Sequence, residues 1–405
     1  MRRLFKWQYL LIVLCSLGVA FAIIFTPLST PQTSLAQSHQ AKSELRGVWL
    51  TNIDSNVLFE RDRLNNALIR LQQLNFNVVY PTVWNWGYTL YPSRVAQRVI
   101  GRPLDPTPGL QRRDFLKEIV QRGHQQGMGV IPWFEFGFMA PADSLLVKRH
   151  PEWLTSRSNG SKIWQEGQHE RVWLNPFRPE VQRFILDLIV EITNNYDVDG
   201  IQFDDHFGLP SEFGYDAYTI ALYQKEHQGK RPPSDPQNPE WVRWRANKIT
   251  NYMQQVFRTV KARKRNCLIS VAPNPQRVSY DLFLADWQTW ERKGLVEELI
   301  LQVYRNDLNV FVSELEYPEV KAARKHIPVS IGILSGLKNR HVPLKQIQDQ
   351  VAAVRQRQFA GVSFFFYETL WNLSQEKASD RQSGFQRMFP TPTSRPNIYR
   401  GWKPS

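Results

Sequence analysis

From Glu44 to Glu368 short apolar runs alternate with stretches in which apolar residues recur every three or four positions. The short runs predict strands over Leu45–Thr51, Asn77–Val83, Gly129–Phe134, Asp199–Phe203, Leu268–Ala272, Leu299–Tyr304, Pro328–Ile333 and Gly361–Tyr367. The helical spacing predicts helices around Asp62–Leu74, Asp114–Gln126, Pro179–Asn195, Trp241–Lys264, Leu284–Lys293, Val310–Arg324 and Leu344–Gln358. Near-continuous apolar strands are those of a parallel sheet covered by helices. Eight such strands, each separated by helical pattern, define an α/β chain with a single (β/α)8 TIM-type barrel over residues 44–389, carrying long βα-loop insertions. Residues 390–405 are rich in Pro and poor in apolar residues, and read as an extended tail.

The fourth strand carries the strongest chemical signal, Asp199-Gly200-Ile201-Gln202-Phe203-Asp204-Asp205-His206. Ile201 and Phe203 alternate with Gln202 and Asp204, so if the apolar pair faces the helices, Asp204 faces the barrel axis. A carboxylate at the C-terminal end of a barrel strand sits on the face where such barrels do chemistry. The structural alternative is an Asp pair that caps the next helical segment. Other strand ends add Glu135 after strand three and Glu368 after strand eight, with Asp54 after strand one. Cleavage of a glycosidic bond needs one carboxylic acid for the leaving oxygen and one carboxylate as nucleophile or base. Asp204, Glu135, Asp205 and Glu368 are therefore the catalytic candidates. Alternation puts Glu135 on one face with Trp133 and Ile131, where an apolar shelter would favour its protonated form. It also turns Gln302 and Tyr304 inward from strand six, with Leu299, Leu301 and Val303 toward helices, and gives Ser270, Ala272 and Asn274 a common face. Asn85, Asn274, Gln302 and Tyr304 are candidates for holding sugar hydroxyls. His206 stands beside the Asp pair as a supporting or sugar-binding group.

Composition sharpens this picture. Aromatic residues make up 13% of the chain and 14 of them are Trp, several at strand ends in Trp84-Asn85-Trp86 and Pro132-Trp133. Flat CH-rich sugar rings stack on such platforms, so Trp84, Trp86 and Trp133 are candidate sugar contacts. The net charge of +14 permits an acidic polymer as partner. The basic residues are dispersed, and the cluster Lys261-Ala262-Arg263-Lys264-Arg265 reads as a helix end. With no helix-turn-helix, zinc-finger or RNA-binding signature, nucleic acid is not an expected partner. Arg2, Arg3 and Lys6 precede an apolar run from Tyr9 to Phe25, the layout of an export signal. Residues 1–36 are thus an export signal or an uncleaved membrane anchor through residues 9–25, and 37–43 a linker. Cys267 is the one cysteine beyond that segment, so no intrachain disulfide is expected there.

Five segments together resemble the glycosyl-hydrolase-like family 10 of bacterial envelopes. They are Glu44-Leu45-Arg46-Gly47-Val48-Trp49-Leu50-Thr51, His150-Pro151-Glu152-Trp153-Leu154, Trp173-Leu174-Asn175-Pro176, Asp197 to Asp205, and Gly361-Val362-Ser363-Phe364-Phe365. Asp286-Trp287 and Gln302-Val303-Tyr304 add to the likeness. The resemblance implies a (β/α)8 barrel, an exported or periplasmic location, and hydrolysis of peptidoglycan glycan strands, particularly strands stripped of peptide. It carries over best at Asp204 and Asp205. This chain departs from the family pattern at His206, where many members have an aromatic, and at Glu135-Phe136, where an Asn-Pro type sequence is common. No cofactor is implied. A metal-dependent polysaccharide deacetylase also uses Phe-Asp-Asp, but needs a pair of His a turn apart, whereas His227 and His326 stand alone. A non-catalytic glycan-binding wall protein is the remaining alternative.

Overall fold

The computed structural model describes residues 43–404, so the predicted export signal or anchor lies outside the described residues. Eight parallel strands form one sheet: β1 (Leu45–Leu50), β2 (Val78–Pro81), β3 (Gly129–Val130), β4 (Gly200–Phe203), β5 (Leu268–Val271), β6 (Glu298–Gln302), β7 (Val329–Leu334) and β8 (Gly361–Phe365). Their order is β3-β2-β1-β8-β7-β6-β5-β4, with β1 and β8 paired, so the sheet curls into a nearly closed barrel. The last gap, between β3 and β4, is spanned by Trp133, which bridges Thr82 on one side and Gln202 on the other. Strand three is shorter than its apolar pattern because Pro132 has no N–H to give the ladder. Its carbonyl still accepts from the Gln202 amide at 2.8 Å.

The period-2 pattern separates two environments. Ile201, Phe203, Leu299, Leu301 and Val303 join the large core beneath the helices. Trp49, Tyr80, Ile131, Trp133, Ala272 and Ile300 fill the barrel lumen. A polar chain crosses that lumen: Trp49 Nε1 donates to Gln202 at 2.7 Å, Gln202 to Ser270 at 3.0 Å, and Ser270 to Glu298 at 3.0 Å. Tyr80 donates to the same Glu298 oxygen at 3.1 Å. Gly47 makes room for these bulky inward groups, since a Cβ there would lie 2.9 Å from the Tyr80 ring.

Residues 390–404 do not hang free. Arg46 donates to the Thr391 carbonyl at 2.6 Å and Glu44 N to the Ser394 carbonyl at 3.1 Å, fastening the segment across the N-terminal strand ends. Arg395 reaches the buried Glu298, 4.0 Å away. Removing one member of a buried ion pair leaves the other charge uncompensated. Arg395→Met is therefore expected to lower unfolding free energy by about 3 kcal/mol in urea titrations. Adding Glu298→Gln should restore much of that loss.

The helices match the predicted spacing with two kinds of difference. Val310–Arg324 is two helices, Leu308–Leu315 and Pro318–Ala323, because Pro318 can begin a helix but not continue one. Short helices at Ala217–Glu226, Gln276–Phe283 and Ala378–Met388 were hidden in turn-rich or weakly periodic sequence. The long βα insertions carry structure of their own. Trp84–Asn85 pairs with Tyr88–Thr89, and Met139–Pro141, Trp164–Glu166 and His169–Trp173 form a three-stranded antiparallel sheet after β3. These insertions lie on the C-terminal side of the barrel, where the inward-facing carboxylates emerge.

Candidate active site

Glu135 follows β3 at the mouth and is 5% exposed. Its Oε2 accepts from Thr82 Oγ1 at 2.8 Å, Asn85 Nδ2 at 2.8 Å and Thr51 Oγ1 at 3.2 Å. Among the described residues Oε1 has only the Thr51 hydroxyl, at 3.4 Å. Burial pushes this carboxyl up to about 7; the Thr82 and Thr51 hydrogen bonds pull down, and the negative charge of Asp204 pushes up. With Oε2 saturated by donors, Oε1 is the oxygen on which a proton can sit and from which it can be given.

Asp204 leaves β4 in extended conformation and does two things. Its Oδ1 accepts from the His206 amide at 2.9 Å, capping the single turn Asp205–Phe207. Its Oδ2 accepts from Trp133 Nε1 at 3.1 Å, inside the barrel mouth. The capping role and the inward-facing role are thus both present in one side chain. Trp133 holds that position by packing against Trp49 and Phe365, each at 6.2 Å between centroids.

His206 Nδ1 lies 2.7 Å from the Glu135 carbonyl and 3.1 Å from Asp204 Oδ1. Burial opposes its charge, but the Asp204 carboxylate, with Glu166 and Asp205 behind it, raises the imidazole to about 9. It is a cation at neutral pH. Tyr304 stacks on Phe365 with centroids 5.9 Å apart and rings inclined by 25°. Burial, reinforced by the charges of Asp204 and Glu135, pushes its phenol well above the usual value, so it stays a donor.

The remaining predicted residues divide. Asp205 points away from the pair and accepts from Asn274 N at 2.9 Å, Asn274 Nδ2 at 2.5 Å and Ser279 Oγ at 2.5 Å. Asp205 and Asn274 therefore fasten the loop after β5 to the end of β4. Gln302 donates to the Ala272 carbonyl and ties β6 to β5. Asn85 donates through Nδ2 to Glu135 at 2.8 Å, while its Oδ1 is buried with no hydrogen-bond partner among the described residues, an acceptor free for a hydroxyl. Trp84, expected as a sugar platform, is instead core: it is fully buried, donates to the Gly137 carbonyl at 2.9 Å and packs edge-on against Phe184. Trp86 is 37% exposed, next to Arg171 and His169. It is the indole of the three that offers surface.

Glu368 is buried but belongs to another network, accepting from Ser55 at 3.1 Å and Asn372 at 2.5 Å. Groups that transfer protons carry about 10²–10⁴-fold in rate. Glu368→Gln is expected to keep kcat within about fivefold of the parent, measured with the substrate named below, because its hydrogen bonds serve the loops of β1 and β8. Two residues at the site were not anticipated, Thr51 and Thr82. The signal for them was present, since each lies two positions beyond an inward aromatic, Trp49 and Tyr80. Among the described residues no three or more His, Cys, Asp or Glu side chains are grouped so as to hold a metal ion.

A barrel whose C-terminal mouth holds two inward carboxyl groups in unlike environments has the design of the (β/α)8 glycoside hydrolases. The glycoside hydrolase domain of PgaB (BpsB) from Bordetella bronchiseptica superposes with a TM-score of 0.62 at 13% identity, covering 84% of this chain and 99% of that one. A family model described as Glycosyl hydrolase-like 10 matches residues 44–353, and the chain belongs to that family. Among relatives, glycosyl hydrolase DigH of Escherichia coli (strain K12) is 24% identical over 319 residues, 66% of this chain and 67% of that protein. Glycosyl hydrolase YngK of Bacillus subtilis (strain 168) is 22% identical over 314 residues, 68% of this chain and 56% of its own length.

Proposed function

We propose that this protein is an exported glycoside hydrolase that cleaves glycosidic bonds of an envelope polysaccharide, with peptidoglycan glycan strands as substrate. Glu135 gives its Oε1 proton to the leaving oxygen, while Asp204 acts as nucleophile or as base for water. Tyr304 donates to a sugar hydroxyl near the scissile bond, and Trp86 stacks on a more distant ring. The observation that carries this reading is the pairing of a buried, proton-holding Glu135 with an Asp204 braced by an indole and an imidazolium. Family membership and the names of the relatives support it. The peptidoglycan assignment rests on the envelope character that the sequence resemblance implies, and the export assignment on the basic and apolar layout of residues 1–25.

The test is incubation of the protein with intact and with peptide-stripped peptidoglycan strands, following new reducing ends and product masses. Shortened oligosaccharides are the expected products, in greater amount from the stripped strands. Glycan binding without any product from either substrate would sink the hydrolase reading and leave a glycan-binding wall protein.

A further inference from the structure

Past the end of β3 its segment stays joined to β4 and the turn after it by a second set of contacts. Phe134 N donates to the Gln202 carbonyl at 2.9 Å and Phe138 N to the His206 carbonyl at 2.8 Å. Gly137, with φ of 48°, lets the segments touch, since a Cβ there would lie 2.3 Å from the His206 carbonyl oxygen. Between these backbone bonds sits the half-buried His206 ring, flanked by Phe136 at 6.2 Å, Trp173 at 6.1 Å and Phe283 at 6.5 Å. Its Nδ1 faces two acceptors, the carbonyl of Glu135 and the carboxylate of Asp204, so that nitrogen carries the proton. One N–H therefore touches the backbone of the proton donor and the side chain of its partner.

We propose that His206 is a positioning residue that sets the reach between the Glu135 and Asp204 carboxyl groups. This deepens the hydrolase reading and rests on it. Strand pairing does not set that reach by itself, because the ladder-type bonds of this seam end with Phe134 N on the Gln202 carbonyl, just short of Glu135 and Asp204. A displacement of about 1 Å in a reacting group can cost on the order of 10²-fold in rate.

Two variants separate the hydrogen bond from the packing. His206→Phe keeps a ring among the three aromatics and removes the donor; His206→Asn restores an N–H near the Nδ1 position. On peptide-stripped glycan strands, His206→Phe is expected to lose about 10²-fold in kcat with KM within about threefold. His206→Asn should regain about tenfold of that loss. Crystal structures of the parent and of His206→Phe give a readout that needs no turnover, and the separation of the two carboxyl groups should widen by about 1 Å. An unchanged kcat in His206→Phe, an Asn variant as slow as the Phe variant, or an unmoved carboxyl separation would each overturn the proposal. If the parent cleaves no strand, the hydrolase reading fails, and the crystallographic separation still decides the role of His206.

Discussion

Glu135→Gln is expected to lower kcat on glycan strands by about 10³-fold, within the range that a positioned general acid supplies. The amide oxygen can accept from Thr82, Thr51 and Asn85 as Oε2 does, so the fold and KM should change little. The pH profile gives the sign. A carboxyl raised to about 7 by burial is protonated below that value, so the parent's activity falls as pH rises through about 7. The variant's residual rate should lack that limb. Stability follows the same linkage. Because the folded carboxyl holds its proton where the unfolded one has lost it, the parent loses stability as pH rises from 4.5 to about 7. By neutral pH the cost is about 3 kcal/mol, so Glu135→Gln should gain on the parent in unfolding free energy across that window. A parent whose activity and stability are flat through it would remove Glu135 from the acid role.

Asp204→Asn is expected to cost more, about 10³-fold or greater in kcat, since it removes the charge that serves as nucleophile or base. The amide cannot satisfy both of its present neighbours. If its oxygen accepts from the His206 amide, its NH2 is turned against the Trp133 N–H, and the reverse orientation breaks the cap. The substitution should also be visible without substrate. Asp204 is the leading cause raising His206, and its charge also raises Glu135, so both groups should titrate lower in Asp204→Asn than in the parent. NMR titration of the His206 ring measures the first of these. A His206 titration that stays near 9 in the variant would mean that the pair is not coupled as described.

The barrel was legible because burial imposes its period directly on sequence. Parallel strands covered by helices must be apolar on the helix side, and the inward positions followed by counting in twos, which is how Gln202, Asp204, Gln302 and Tyr304 were placed. Counting in twos fails where the pleat ends. Asp205 and Glu368 lie past regular strand, and their carboxylates are held by Asn274 and Ser279 after β5, and by Ser55 after β1 and Asn372 four residues on, partners that strand alternation does not reach. Trp84 failed for a related reason. A tryptophan at a strand end suits a sugar platform or a core equally well, and only the helix Pro179–Asn195 packing over it, through Phe184, decides for core.

Sequence by itself determined the architecture and the strand carrying Asp204, because periodicity and side-chain chemistry are local properties. Tertiary structure decided which acids share a site. Residues 135 and 204 are joined across the β3–β4 seam by one imidazole and flanked by hydroxyls that follow β1 and β2, and the bonds of the imidazole and the two hydroxyls to residue 135 span 53 to 84 positions, invisible to any local pattern. The same long-range packing removes Glu135 from water, and that desolvation, rather than the identity of the residue, makes it an acid that can hold a proton near neutral pH.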